Sequence, residues 1–184
     1  MGNTSQFVIL GMLNNKPMTG YDIKKNLTKT NMDSFWGISY GQIYPSLRDL
    51  EKEGSITKEI EINENGPNRK KYSITSEGAA KLKQWLLQPA EPEKIRIETL
   101  LKVAFGENIT KNELIKHLTK FKERCSCRLQ NAIAFEKEIK SNMDKNEKSF
   151  FLFLTLLLGK NFEKAGIEWT DTAIQLIEEH EEKI

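Results

Sequence analysis

Between Ser39 and Arg48 the chain sets out five side chains able to read another molecule by hydrogen bonding: Ser39, Tyr40, Gln42, Tyr44 and Arg48. A Gln amide can pair bidentately with adenine and an Arg fork with guanine, while Tyr and Ser hydroxyls can reach phosphate oxygens. The competing role for Tyr40 and Tyr44 is packing against the first helix. For Gln42 and Arg48 it is a plain solvated helix face. A second polar cluster, Asn68-Arg69-Lys70-Lys71, suits phosphate or minor-groove contact. Lys24 and Lys25 are further cations, better explained as an exposed helix face.

Catalytic chemistry is not set out in this way. His117 and His180 lie in separate long helical stretches with no Asp, Ser or Cys arranged beside them as a triad. There is no glycine-rich phosphate loop, HExxH, CxxC or paired-carboxylate pattern. Cys125 and Cys127, two apart on a helix, point to nearly opposite sides, so they neither share a metal nor bridge each other. The acidic run Glu178 to Glu182 reads as a solvated terminal face. No catalytic residue, metal or cofactor is expected, and the chain is not expected to be an enzyme.

The elements that position the two polar clusters can be read from periodicity and caps. Phe7 to Leu13 is a dense apolar block, expected as a mostly buried first helix that Lys16-Pro17-Met18 ends. Thr19 with Asp22 has the form of a capping box opening a second helix to about Lys29, with Tyr21, Ile23 and Leu27 as its apolar surface. After a loop carrying Phe35-Trp36, Ser39 with Gln42 repeats the capping pattern and opens a third helix through Glu53. Its stripe is Ile43, Leu47 and Leu50. Pro45 either kinks this helix or sits in the first turn of a regular part beginning near Tyr44. Gly54 ends it.

The period then changes to two. Ile56, Ile60 and Ile62 share one strand face with Thr57, Glu59 and Glu61 opposite, Asn65-Gly66-Pro67 turns the chain, and Tyr72 and Ile74 continue on a return strand. The basic cluster falls at the hairpin's tip. Thr75 caps a fourth helix with Leu82, Trp85 and Leu86. Three helices, a hairpin and a helix is the order of a winged helix-turn-helix; the alternative is a generic small α+β domain with an incidental hairpin.

Pro89-Ala90-Glu91-Pro92 is a linker, which divides the chain into 1–88 and 89–184. Beyond it the pattern is wholly helical. Ile97, Leu100, Leu101, Ala104 and Phe105 form a stripe stopped by Gly106, and Thr110 with Glu113 makes a third capping box. Leu114, Leu118, Phe121, Cys125, Leu129, Ala132, Ile139 and Met143 then recur mainly at three- and four-residue steps, a coiled-coil-like seam. Asp144 to Glu147 turns the chain into a last helix carrying Phe150 to Leu158. Helices this long with so few partners are most simply covered by a second copy. Leu114, Leu118, Phe121, Leu129, Phe151, Leu154 and Leu158 are therefore expected at a homodimer interface. The fold class expected is mainly α with a small hairpin wing, a winged helix-turn-helix plus a C-terminal helical dimerisation domain.

Bulk properties bound the class. With 184 residues, 38% hydrophobic and 29% charged, the chain can bury a real core. Net charge is only +2, so binding to a polyanion must rest on where the charges sit. Residues 1–88 carry 12 Lys/Arg against 9 Asp/Glu, and the remainder 16 against 17, a mild N-terminal excess. No secretion signal or myristoylation pattern is evident, and the apolar run Phe150 to Leu158 is too short to span a bilayer. A cytoplasmic protein without a membrane partner is expected.

The chain resembles the PadR family of transcriptional regulators. The matching residues are Gly20-Tyr21-Asp22-Ile23, Phe35-Trp36-Gly37-Ile38-Ser39, Gly41-Gln42-Ile43-Tyr44-Pro45-Ser46-Leu47, Leu50-Glu51-Lys52-Glu53-Gly54, Gly66-Pro67-Asn68-Arg69-Lys70-Lys71-Tyr72 and Thr75-Ser76-Glu77-Gly78. Arg96-Ile97-Glu98, Leu101-Lys102 and Trp169 are similar to the longer C-terminal domain of the virulence-activator-like branch. Ser55 departs from the pattern, which usually has a large aliphatic residue there. The resemblance implies an obligate dimer that binds double-stranded DNA at pseudo-palindromic operators and represses or activates nearby promoters, with repression the expected sign. Some relatives respond to phenolic acids, antibiotics or other small hydrophobic molecules. The matching expectation here is that Trp85, Phe105 and Trp169 line a cavity between the domains where a flat effector stacks, against ordinary core packing. The alternative function is a dimeric ligand-sensing or protein-partner module that has lost DNA affinity. An intact basic cluster with Gln42 and Arg48 argues against it.

Overall fold

The computed structural model describes residues 4–62, 68–143 and 147–180. The chain divides into two compact units, Met1–Pro92 and Glu93–Ile184. The expected turn at Asn65-Gly66-Pro67, the first three residues of the turn at Asp144 to Glu147, and Glu181 and Glu182 lie outside the described residues.

The first unit holds helices α1 (Thr4–Leu13), α2 (Gly20–Lys29) and α3 (Tyr40–Lys52), strands β1 (Ile56–Glu61) and β2 (Arg69–Ile74), and helix α4 (Ser76–Leu86). α1 is apolar on most sides because it is the hub of the core, with Ile9 and Leu10 fully enclosed. The Thr19–Asp22 capping box forms as expected: Asp22 N–H donates to Thr19 Oγ1 at 3.1 Å and Thr19 N–H to Asp22 Oδ2 at 3.1 Å. Ile23 and Leu27 are buried, but Tyr21 is exposed. Two residues before Ile23 on a helix, it falls on nearly the opposite side.

α3 begins at Tyr40 and runs through Pro45, so the proline sits in the second turn rather than opening a regular part near Tyr44. The carbonyl of Gly41 thereby loses its helical donor, on a side of the helix that solvent reaches. At the other end Gly54 adopts φ 74°, Gly54 N–H donates to Glu51 O at 3.1 Å and Ser55 N–H to Leu50 O at 2.9 Å. This is a Schellman stop, and the left-handed residue in it suits glycine.

β1 and β2 pair antiparallel with Ile56 opposite Ile74, Lys58 opposite Tyr72, Ile60 opposite Lys70, Glu59 opposite Lys71 and Glu61 opposite Arg69. The expected apolar face is buried only at its root: Ile56 is enclosed, while Ile60 and Ile62 are exposed. A two-stranded ribbon that leaves the body of the unit has no second layer to cover its outer half. Met18 adds a third, single-residue rung, donating to and accepting from Tyr72 at 3.0 and 2.9 Å. That rung ties the wing to the segment leading into α2.

The second unit holds α5 (Glu98–Ala104), α6 (Lys111–Lys140) and α7 (Glu147–Glu179). Thr110 and Glu113 close the third expected capping box, with Thr110 N–H donating to Glu113 Oε2 at 3.0 Å. α7 returns antiparallel along α6, and ion pairs mark the register: Lys122 with Asp171, Arg128 with Glu163, Lys160 with Glu136. The Arg128 fork takes both Glu163 oxygens, at 2.6 and 2.8 Å. Cys125 is buried and Cys127 exposed, as their spacing required.

The α6 seam expected to face a second copy is largely closed within the chain. Leu114, Leu118 and Phe121 are already buried, Phe121 against the edge of Trp169 at 5.8 Å, and Leu129 is half-buried. The short connection forces α7 back along α6, so α7 takes that seam first. α7 carries more apolar surface than one seam can cover, and Phe151, Leu154 and Leu158 remain exposed. So do Leu100, Leu101 and Phe105 of the α5 stripe, since α5 turns Thr99 inward toward Arg124 of α6, at 3.3 Å.

Candidate nucleic-acid interface

α3 is a two-sided helix. Ile43, Leu47 and Leu50 are fully enclosed and lock one side into the core, which leaves Ser39, Tyr40, Gln42, Tyr44 and Arg48 exposed on the N-terminal two turns and beyond. Four of the five residues singled out by type therefore lie at the exposed N-terminal end, and Arg48 is exposed one turn beyond Tyr44. Among the described residues no hydrogen bond or ion pair engages the Arg48 guanidinium.

Tyr40 and Tyr44 pack on each other while staying open to solvent. Their rings stack, with centroids 6.2 Å apart and planes 21° from parallel, yet each remains over two-fifths exposed, at 43% and 45%. The edge of Tyr44 rests on α2 rather than α1: a Cβ on Gly20 would stand 2.8 Å from Tyr44 Cε1. A larger residue at position 20 would have to push the Tyr44 ring aside.

Gln42 is less free than its type suggests. Its Oε1 accepts from Ser39 N–H at 3.0 Å and from the Ser39 hydroxyl at 3.2 Å, so both acceptor sites of the amide are engaged in the cap. The Nε2 donors are what remain for a ligand. The capping pattern and the exposed amide were both legible in the sequence, but their competition for one oxygen shows only in the geometry.

The basic cluster is in strand rather than at the tip. Asn68 precedes β2, and Arg69, Lys70 and Lys71 are its first three residues. Partners across an antiparallel ladder share a face, so Arg69 and Lys71 stand with Glu61 and Glu59, whereas Lys70 stands with Ile60. The sequence alternation had put the two glutamates on one face, but without the register it did not reveal which cations they oppose. At the wing's root Lys58 pairs with Glu51 of α3 at 2.6 Å, a hydrogen bond that raises the lysine's pKa. Burial first, and then the Glu51 carboxylate, push the Tyr72 phenol up.

The aromatic residues expected to hold an effector each have a place of their own. Trp85 stacks flat on Phe7 in the first unit, centroids 4.7 Å apart and 6° from parallel. Trp169 meets Phe121 in the second unit, and Phe105 of that unit is exposed. Among the described residues, no group of three or more His, Cys, Asp or Glu side chains is arranged to hold a metal, and no helix is long and apolar enough to cross a membrane.

Comparison with known proteins extends these observations. The family model for the transcriptional regulator PadR-like family matches residues 9–84, and that for the virulence activator alpha C-terminal region matches residues 95–178. The negative transcriptional regulator PadR of Bacillus subtilis is 29% identical over 180 residues, covering 94% of this chain and 97% of its own length. The crystal structure of B. subtilis PadR in complex with operator DNA superposes with a TM-score of 0.86 at 25% identity, covering 96% of this chain and 99% of that one. Its structure in complex with p-coumaric acid gives 0.76 at 26% identity, covering 94% and 98%. Relatives by sequence and structure are thus transcriptional regulators, and they match this chain across both units. With a winged helix in the first unit and the virulence-activator helices in the second, the chain belongs to the PadR-like family of transcriptional regulators.

Proposed function

We propose that the chain represses transcription by binding a pseudo-palindromic operator as a homodimer in the cytoplasm, by recognition and without catalysis. The observation that carries this reading is the two-sided α3: three enclosed aliphatic residues fix it, and Tyr40, Gln42 and Tyr44 are exposed at its N-terminal end with Arg48 exposed one turn further on. That end enters the major groove, with the Gln42 Nε2 and Arg48 reading base edges and Ser39, Tyr40 and Tyr44 contacting phosphates. The wing follows the backbone or the minor groove through Asn68, Arg69, Lys70 and Lys71. Two copies are needed because one recognition helix reads one half-site, and half-sites lie about 34 Å apart. Phe151, Leu154 and Leu158, exposed in the single chain, supply the surface that a second copy covers. The complex of B. subtilis PadR with operator DNA supports the reading.

The regulator also answers to a small aromatic molecule, and the complex of the B. subtilis protein with p-coumaric acid supports that choice of chemistry. Trp85, Phe105 and Trp169 are the residues proposed to sense it. A ligand regulates only if it binds DNA-competent and incompetent states with different affinity.

An electrophoretic mobility shift with DNA upstream of the chain's own coding sequence, repeated with planar phenolic acids, tests both statements. Retarded duplex released by a phenolic acid is the expected result. No retardation at low salt would leave a ligand-binding dimer without DNA affinity. Release of DNA without any change in tryptophan fluorescence would remove the aromatic residues from the effector's site.

A further inference from the structure

The segment between α2 and α3 is held by a contact that lies outside both polar clusters. Lys24 of α2 reaches Asp33 in the short 3-10 turn Met32–Ser34, and its Nζ donates to both carboxylate oxygens, at 2.7 and 2.8 Å. The Thr28 hydroxyl lies 3.4 Å from Asp33 Oδ2 and 3.3 Å from Lys24 O, so its one proton is shared between the two acceptors. The chain then closes over the same residue: a Cβ on Gly37 would stand 3.2 Å from Asp33 O and 3.3 Å from Asp33 Oδ1. Immediately afterwards Ile38 plugs into the core and Ser39 caps α3.

We propose that the Lys24–Asp33 pair is a positioning device for the N-terminal turn of the recognition helix, which makes Lys24 a structural cation rather than a phosphate contact. The inference rests on the reading of α3 as the recognition helix. Its warrant is the order of the contacts along the chain. Asn31, with φ 58°, ends the run from α2, Asp33 is anchored back to α2, and Gly37 passes over that anchor. Only two residues then separate Asp33's neighbour Gly37 from Tyr40, so the place of Asp33 sets where the exposed end of α3 begins. Both partners are only about one-quarter exposed, at 25% and 29%, and the bidentate geometry leaves the ammonium little freedom to turn to DNA. Lys25, next along the helix, makes no hydrogen bond or ion pair of this kind among the described residues, and its charge only helps to lower the Asp22 pKa.

Hydrogen exchange on the full chain without DNA, followed by binding to duplex upstream of its own coding sequence, tests the proposal. Asp33→Asn and Lys24→Gln are expected to quicken exchange of the Trp36, Gln42 and Ile43 amides roughly two- to fivefold, the range an ion pair of this kind supplies. The Glu53 and Ser55 amides at the other end of α3 stay as they were, and Lys24→Arg keeps the protection of all five. In the binding arm Lys24→Gln weakens affinity but leaves the log–log salt slope unchanged. Unchanged exchange in both variants overturns the proposal. So does a salt slope lowered by about one in Lys24→Gln, which marks a lost phosphate contact. If wild-type chain retards no duplex while exchange behaves as expected, the turn is pinned as proposed and the recognition-helix reading falls.

Discussion

The side-chain oxygen of Gln42 accepts two hydrogen bonds from Ser39, one from the backbone N–H at 3.0 Å and one from the hydroxyl at 3.2 Å. The residue best suited to read a base is thus also half of the capping box of the helix that carries it. Bidentate pairing with adenine needs that oxygen as an acceptor, so it requires release of the cap. Reading through Nε2 alone does not.

Glutamate separates these roles, because it caps as well as glutamine but offers no N–H. Gln42→Glu is expected to keep wild-type stability and to lose preference at particular bases, at about 1–3 kcal/mol each. Gln42→Ala should lose the same preference and about 1 kcal/mol of stability with the cap. Urea unfolding and competition against single-base operator variants measure both. A Gln42→Glu protein that ranks every variant in the wild-type order would remove Gln42 from base reading.

The wing's three cations should contribute unequally. Arg69 and Lys71 each face a glutamate across the ladder, whereas Lys70 faces Ile60. Lys70→Ala is therefore expected to lower the salt slope by about one, with smaller changes for Arg69→Ala and Lys71→Ala. Removing the opposing charges with Glu59→Gln and Glu61→Gln should tighten binding most at low salt. Equal slopes for the three alanine variants would show that the cross-strand glutamates do not matter.

The two halves of the long hairpin's apolar surface should fail in different ways. Leu118→Ala opens a hole in the chain's own seam and is expected to cost about 2–5 kcal/mol of stability. Leu154→Asp and Leu158→Asp, at exposed positions, should instead give a helical monomer with weakened affinity for DNA. Sedimentation and circular dichroism distinguish the two. A Leu158→Asp chain that stays dimeric with wild-type DNA affinity would move the interface elsewhere.

Acid should loosen the second unit through Glu136. Hydrogen bonds from Lys140 and then Lys160 hold its carboxyl down at about 2. A pKa depressed in the folded state gives stability that is complete above the unfolded value, near 4.3, and is lost as pH falls toward about 2. Glu136→Gln is expected to flatten the pH dependence of thermal unfolding across that window and to leave it unchanged above pH 6. An unaltered acid limb in the variant would place the dependence on other carboxylates.

Local chemistry was enough to determine the elements and one of the two surfaces. Three capping boxes opened the helices where Thr19, Ser39 and Thr110 placed them, and Gly54 closed α3, because caps are satisfied by neighbours three to five residues away. The exposed end of α3 followed as well, since a stripe at Ile43, Leu47 and Leu50 leaves its other side outward whatever it packs on. Other features depended on residues that meet from far apart in the chain. Period-two alternation could not say that Ile60 and Ile62 lack a covering layer, nor which glutamate opposes which cation. The seam of α6 had the spacing of an interface, but α7 reached Leu118 and Phe121 before any second copy could. The pairings of Met18 with Tyr72 and Lys24 with Asp33 leave no periodic trace, because each is a single contact made by the path of the backbone. Periodicity records which side of an element is buried, and only the tertiary structure decides what buries it.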